Sequence, residues 1–246
     1  MIGDSHEIAD GEVVGLVGES GCGKSTLGRV VAGVHAASDG KVYWRGKDVS
    51  TLSGAERRDA LLKIQMIFQD PMSSLNPRMR VRDIIGEAPR VHGLISAGEV
   101  DDYVDKMLLR VGLDPGFRMR YPHQFSGGQR QRIGIARAAL LRPDFVLADE
   151  IVSGLDVSTQ AQVLNLLKAL SREMGLAMAF ISHDLSVIRA VCDRVYVMQF
   201  GKIVEHGPCA QVFDNPQSAY TRTLLDAIPL PEIDPDWLDR VAVDEA

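Results

Sequence analysis

Apolar positions along the chain change their period several times, and each change marks an element. "EVVGLVG" at 12–18 has the pattern of a short buried strand and runs straight into glycine-rich sequence, after which a helix is predicted to start near Lys24. "GKVYWRGKDV" at 40–49 has hairpin character, "LSGAERRDALLK" at 52–63 predicts a capped short helix, and "IQMIFQD" at 64–70 predicts a core strand. From Val81 to Leu140 the period becomes helical, in "VRDIIGEAPRVHG", "SAGEVDDYVDKMLLRVG" and "SGGQRQRIGIARAALL". Val100, Val104, Met107 and Leu108 fall on one face, which reads as packing surface rather than ligand surface. Strands then resume with "FVLADE" at 145–150, a helix "STQAQVLNLLKALSREM", a strand "AMAFISH" at 177–183, a short helix, and "RVYVMQFGKIVEHG" with an antiparallel turn at Phe200-Gly201.

Strands alternating with helices predict an α/β fold: a core with a mostly parallel sheet, an antiparallel portion and an inserted helical subdomain. The expected divisions are 1–80 and 141–228 for the two parts of the core, 81–140 for the helical insertion, and 229–246 for a tail. Within that tail, "PEIDPDWLDRVAVDEA" carries six acidic residues against one arginine, and it is expected to be solvated with Trp237 as its one docking candidate.

Composition alters this picture in three respects. At 246 residues and 46% apolar content the chain can bury a substantial core. Its formal charge of −6 argues against a nucleic-acid partner held by electrostatics. Cys22, Cys192 and Cys209 lie far apart without metal-ligand spacing, which fits a reducing compartment and structural roles. No apolar run approaches the roughly 20 residues that span a bilayer, so if the protein works at a membrane, another protein must hold it there.

"GESGCGKST", Gly18 to Thr26, matches G-x-x-x-x-G-K-[ST] with the strand before it and the helix after it that the motif requires. Gly18, Glu19, Ser20, Gly21, Cys22 and Gly23 form a concave turn whose amides converge on phosphate oxygens. Lys24 reaches the outer phosphates, Ser25 offers a hydroxyl to Mg2+, and Thr26 supports the loop. "FVLADE" is its natural partner, because two carboxylates ending a buried strand are costly without a cation or a proton transfer. Asp149 then serves Mg2+, and Glu150 polarises the attacking water. Gln69, at the end of a strand, is a candidate for Mg2+ or that water, and His183 for sensing the γ-phosphate; each also reads, by itself, as an ordinary strand-end residue.

"FSGGQ" at 125–129 places Ser126, Gly127, Gly128 and Gln129 at the start of a long helix, a second anion-binding turn. One ATP has one γ-phosphate, so use of both loops implies two chains packed head to tail, with Asp156 of "LDVSTQ" near the seam. The residues equally allow a simple helix cap with Arg130, Arg132 and Arg137 on a solvated basic face.

In this order, "GESGCGKST", Gln69, "FSGGQ", "FVLADE", "SGLD" at 153–156 and His183 make the chain, over Asp10 to Ala227, closely resemble the ATP-binding-cassette ATPases. The resemblance implies a two-lobed ATPase that uses ATP and Mg2+, sandwiches two ATP molecules in a dimer and touches two transmembrane permease subunits. It also assigns Asp156 to the inter-subunit loop and His183 to the γ-phosphate switch. "MIFQDPMSSLNPRMRVRDII", "LDVSTQAQVLNLL" and "GPCAQVFDNPQSAYTRTLL" are similar to the oligopeptide and dipeptide importer branch, which also serves nickel. That implies a peripheral subunit on the cytoplasmic face of the membrane, indirectly served by an extracytoplasmic solute-binding protein; the alternatives are import of nickel or another small solute, and a soluble ATPase of this fold acting on nucleic acid or ribosomes. The chain departs from the family pattern at Phe125 for the usual Leu and at Ile151 for the usual Pro. Only about ten residues precede Gly11, and no Tyr, Trp or Phe occurs before Tyr43. Weaker adenine recognition is therefore expected, with His6 the nearest ring in sequence.

Overall fold

The strand expected at 12–18 forms as β1, Val13–Val17, and the alternation along it decides what covers each face of the sheet. The structure, a computed structural model, describes residues 6–226. With β4 (Ile64–Ile67), β5 (Phe145–Asp149), β6 (Ala177–Ile181), β7 (Arg194–Gln199) and β8 (Lys202–Pro208), β1 builds a sheet in the order β4-β5-β6-β1-β7-β8. All pairs are parallel except β7 with β8. Their hairpin turns at Phe200 and Gly201, with φ of 47° and 78°. A separate hairpin, β2 (Tyr43–Trp44) with β3 (Lys47–Asp48), lies where one was expected.

Period-two alternation sends Val14, Leu16, Leu147 and Tyr196 to one apolar cluster and Val17, Val146, Phe180 and Val197 to a larger one. Helix α1 (Lys24–Val31) lies over the smaller cluster. Its Gly28 permits the approach, since a Cβ there would stand 2.9 Å from Leu147 and Ile181 methyl carbons. Helices α7 (Val157–Met174) and α8 (Leu185–Val191) cover the larger cluster. Phe180, Leu164 and Ile188 are wholly buried there, each contributing about 1.5–3 kcal/mol of transfer free energy.

Helix α2 (Gly54–Lys63) forms without the expected side-chain cap, although Ser53 occupies the cap position. The strand after it ends at Ile67 rather than Asp70. The reason is local: the Asp70 carboxylate accepts from the amides of Met72 (2.8 Å) and Ser73 (3.2 Å), and with Pro71 it starts one helical turn, α3 (Pro71–Ser74).

Helices α4 (Val81–Val91), α5 (Val100–Arg110) and α6 (Gly127–Ala139) pack on one another through Ile85, Val104, Leu108 and Ile133, all fully buried. The predicted face of Val100, Val104, Met107 and Leu108 is the buried one. After β8 come α9 (Cys209–Asp214) and α10 (Ala219–Asp226). Cys192 and Cys209 are buried free thiols; burial pushes Cys209 up to about 12 and Cys192 well above its ordinary value, which suppresses thiolate chemistry at both. The acidic tail and Trp237 lie outside the described residues.

Candidate functional site

Strand register gathers the site. Ile67 pairs with Ala148, Asp149 with Ile181, and Ile181 with Leu16, so β4, β5, β6 and β1 end in one row. Residues 69, 149–150, 183 and 18–26 therefore all emerge along the same carboxyl edge, where crevices of open parallel sheets bind ligands.

In the glycine-rich turn, Gly18, Gly21 and Gly23 have φ of 147°, 80° and 106°. Lys24, 5% exposed, folds back so that Nζ donates to the carbonyls of Gly18 (2.7 Å) and Glu19 (2.9 Å). Two outer supports hold the turn. The Gly201 amide donates to the Cys22 carbonyl (3.0 Å), and the Glu19 amide donates to the Tyr220 hydroxyl (3.0 Å). At Gly18 a Cβ would lie 2.1 Å from the backbone oxygen of Met198. Gly18→Ala is therefore expected to cost at least ~1–3 kcal/mol from backbone strain alone and to abolish nucleotide binding by displacing the turn, checked by calorimetric melting and ATP titration.

Ser25 Oγ donates to Asp149 Oδ1 at 3.0 Å, and Asp149 is buried at the strand end. Glu150 is next in sequence but faces other partners. Its left-handed φ of 48° turns the chain while its amide donates to the Ile181 carbonyl (2.9 Å). Gln69 Nε2 donates to Glu150 Oε2 at 2.8 Å, and His183 Nδ1 lies 3.8 Å from the same oxygen on a mostly exposed ring. Two adjacent carboxylates thus have separate surroundings, one beside a hydroxyl and one beside an amide and an imidazole.

A second group lies elsewhere. Ser126 caps α6 in a reciprocal box: its hydroxyl accepts from the Gln129 amide (3.3 Å), and the Gln129 side chain accepts from the Ser126 amide (3.1 Å). Asp156 caps α7, accepting from the Thr159 amide (2.9 Å) and hydroxyl (2.7 Å), and these bonds hold its carboxyl below the ordinary value. A Cβ on Gly128 would come 2.2 Å from Thr159 Cγ2, so the two caps form one surface. Ser126 and Gly127 remain exposed on it. Among the described residues, no hydrogen bond or ion pair joins this surface to the phosphate loop.

The solvated basic face does not form. Arg130 donates to the Pro122 carbonyl, Arg132 to Gln162, and Arg137 to the Ser74 carbonyl, with burial lowering the Arg137 pKa from its ordinary value. Phe125 is buried edge-on to Phe117, and Ile151 is buried as well, so both departures from the family pattern are packing residues. His6 belongs to a ring cluster with Tyr196 and His206, at 5.0 and 5.5 Å. The Tyr220 contact had no signature in the sequence, because it joins residues 201 positions apart.

A mostly parallel sheet whose carboxyl edge presents a glycine-rich loop, a lysine and paired carboxylates is that of a P-loop ATPase. The chain belongs to the ABC transporter family, whose model matches residues 3–153. It is 52% identical over 235 residues to the oligopeptide transport ATP-binding protein OppF of Salmonella typhimurium, covering 95% of this chain and 70% of the relative. With AppF of Bacillus subtilis, also an oligopeptide transport ATP-binding protein, it shares 50% over 229 residues, 93% of this chain and 70% of the relative. Among solved structures it resembles CbiO1 of Clostridium perfringens, part of the ABC transporter complex CbiONQ, with a TM-score of 0.76, 28% identity, and 87% and 83% of the two chains covered. It also resembles a dimeric ATP-binding cassette in a post-hydrolysis state bound to ADP and Pi, with a TM-score of 0.73, 28% identity, and 83% and 88% covered.

Proposed function

We propose that the chain hydrolyses ATP at this edge as the nucleotide-binding subunit of a peptide importer. The observation that carries the chemistry is the sorting of Asp149 to Ser25 and of Glu150 to Gln69 and His183 beside the phosphate loop. Lys24 and the amides of residues 18–26, apart from the Glu19 amide, which donates to the Tyr220 hydroxyl, grip the phosphates. Glu150 accepts a proton as water attacks the γ-phosphorus, the bond to the ADP oxygen breaks, and His183 contacts the transferred phosphoryl group. The hydroxyl of Ser25, the carboxylate of Asp149 and the amide oxygen of Gln69 are hard donors that fit Mg2+, which when bound supplies charge neutralisation between the phosphates.

Residues 1–80 and 141–228 constitute the core in this reading, and 81–140 the helical lobe. Ser126, Gly127, Gly128, Gln129 and Asp156 serve the ATP held by a second nucleotide-binding subunit in a head-to-tail dimer. Transport is supported by the oligopeptide transport relatives and not by any feature suited to nucleic acid. Among the described residues no helix is long and apolar enough to cross a membrane, and two permease subunits are inferred to provide the passage at the cytoplasmic face, fed by a solute-binding protein.

A groove of about 420 Å³, lined by Asn76, Met79, Ile84, Glu87, Ala88 and Val91 among others, opens between α4 and the segment following Gln69. It is suited to a short permease segment, and the Gln69–Glu150 bond at the near end of that segment supplies a route to the chemistry. Ala88→Glu puts a larger, charged side chain into the groove, whose wall also carries Glu87, His92 and Arg137, and obstructs its apolar part. Reconstituted with permeases in vesicles, it is expected to lose about ten-fold or more of ATP-driven peptide uptake while ATP affinity is unchanged. Normal uptake removes the groove from the coupling route.

A further inference from the structure

The phosphate loop is supported from outside by a residue of the C-terminal segment. Tyr220 on α10 brings its hydroxyl to 3.0 Å from the backbone nitrogen of Glu19, the residue after the first glycine of the loop. The carbonyl of Glu19 is held as well: Lys24 Nζ donates to it at 2.9 Å and the Cys22 amide at 3.3 Å. The Tyr220 ring is half-buried against the main apolar cluster, together with Leu224 and Leu225, so the hydroxyl is held at the end of a packed lever.

The lever is anchored independently at its other end. Glu205 on β8 accepts from the amides of Gln217 (2.7 Å) and Ser218 (3.0 Å), the first groups leading into α10. Burial pushes its carboxyl up, and the nearby Thr221 hydroxyl, the hydrogen bonds from those two amides and the charge of Arg222 outweigh that and hold it below its ordinary value. The strand that carries Glu205 also forms the turn whose Gly201 amide holds the Cys22 carbonyl. Two supports on the loop, at Glu19 and Cys22, thus trace back to one β8–α10 unit.

We infer that Tyr220 is a positioning residue for ATP binding, fixing the first turn of the phosphate loop through the Glu19 amide and coupling the C-terminal helix to the nucleotide site. The inference rests on the reading of residues 18–26 as the phosphate loop. Without the hydroxyl, the Glu19 amide has no partner among the described residues, and the loop samples orientations in which its remaining amides no longer converge. Loss of preorganisation weakens the grip on phosphates alike in the ground and transition states, so it raises KM and leaves kcat nearly unchanged. Burial pushes the Tyr220 phenol up, the Glu19 amide pulls it down, and the charges of Glu19 and Cys22 raise it further; the net rise keeps it a neutral hydroxyl with lone pairs to accept.

Tyr220→Phe keeps the ring and its packing and removes the one oxygen. In the full chain, Mg-ATP and Mg-ADP are expected to bind about five-fold more weakly, the equivalent of one hydrogen bond. KM should rise by the same factor, kcat should stay within about two-fold, and amide exchange at residues 18–24 should accelerate without nucleotide. A merely structural tyrosine moves the melting temperature and leaves affinity and loop exchange alone. Unchanged affinity or unchanged exchange in Tyr220→Phe overturns the inference. Lys24→Ala distinguishes the two levels: if it also leaves nucleotide affinity intact, the phosphate-loop reading fails, whereas weakened binding in Lys24→Ala with normal binding in Tyr220→Phe removes Tyr220 alone.

Discussion

A Glu150→Gln chain is expected to bind Mg-ATP with nearly native affinity and to turn it over about 10²- to 10⁴-fold more slowly, the range a general base contributes. The geometry isolates this effect. Asp149 and Ser25 face each other at 3.0 Å and are untouched by the change. The amide that Gln69 donates to Glu150 at 2.8 Å still finds a carbonyl oxygen in the substituted side chain, so the loop beyond Gln69 keeps its anchor. What is lost is the negative charge and, with it, the capacity to take a proton. Phosphate release together with calorimetric titration checks both halves, and undiminished turnover would remove Glu150 from its role. Asp149→Asn makes a useful contrast, since it weakens a hard-donor set and is expected to reduce turnover by raising the magnesium requirement.

The second large effect is assembly. With turnover blocked by Glu150→Gln, Mg-ATP is expected to convert the chain from monomer to dimer, and ADP to do so poorly. Ser126, Gly127 and the Asp156 cap form one exposed surface that, among the described residues, makes no bond to the glycine-rich loop of its own chain, and the proposed head-to-tail pairing has the γ-phosphate bridge the two groups across two chains. A ligand bound better by the closed pair shifts the population by that differential affinity. Ser126→Arg should abolish the dimer and lower turnover by about 10²-fold or more while leaving the first ATP bound. Light scattering over a protein concentration series reads the outcome. A blocked chain that stays monomeric at saturating Mg-ATP, alone and with the proposed permeases, would leave the Ser126–Gln129 box as a helix cap only.

Much of this was legible in the residue order. The strand-loop-helix around "GESGCGKST" needs only local physics: a buried β-strand, glycines able to take positive φ, and a helix with a free N-terminus. The apolar face of Val100, Val104, Met107 and Leu108 was readable because helical spacing places these side chains together whatever lies opposite. The end of β4 was not readable to the residue, since continued apolar sequence at Phe68 competes with an Asp70 cap whose strength depends on where the chain goes next. The same limit applied to Arg137, which reads as part of a solvated basic face and is in fact half-buried, donating to the Ser74 carbonyl.

By itself, the sequence determined the element types, the glycine-rich turn between β1 and α1 and the chemical inventory of carboxylates, amide and imidazole, because periodicity and turn chemistry act over a few residues. Tertiary structure alone decided how that inventory is shared. Register across β4, β5, β6 and β1 puts Gln69 and His183 on the same Glu150 oxygen, and the left-handed turn at Glu150 separates it from Asp149. Packing of α10 against the core sets Tyr220 on Glu19. These contacts span from 33 to 201 residues of sequence, between His183 and Glu150 at one extreme and Tyr220 and Glu19 at the other. Nothing local encodes them, because each exists only after the sheet has closed and the loop entropy of bringing its two ends together has been offset by burial elsewhere.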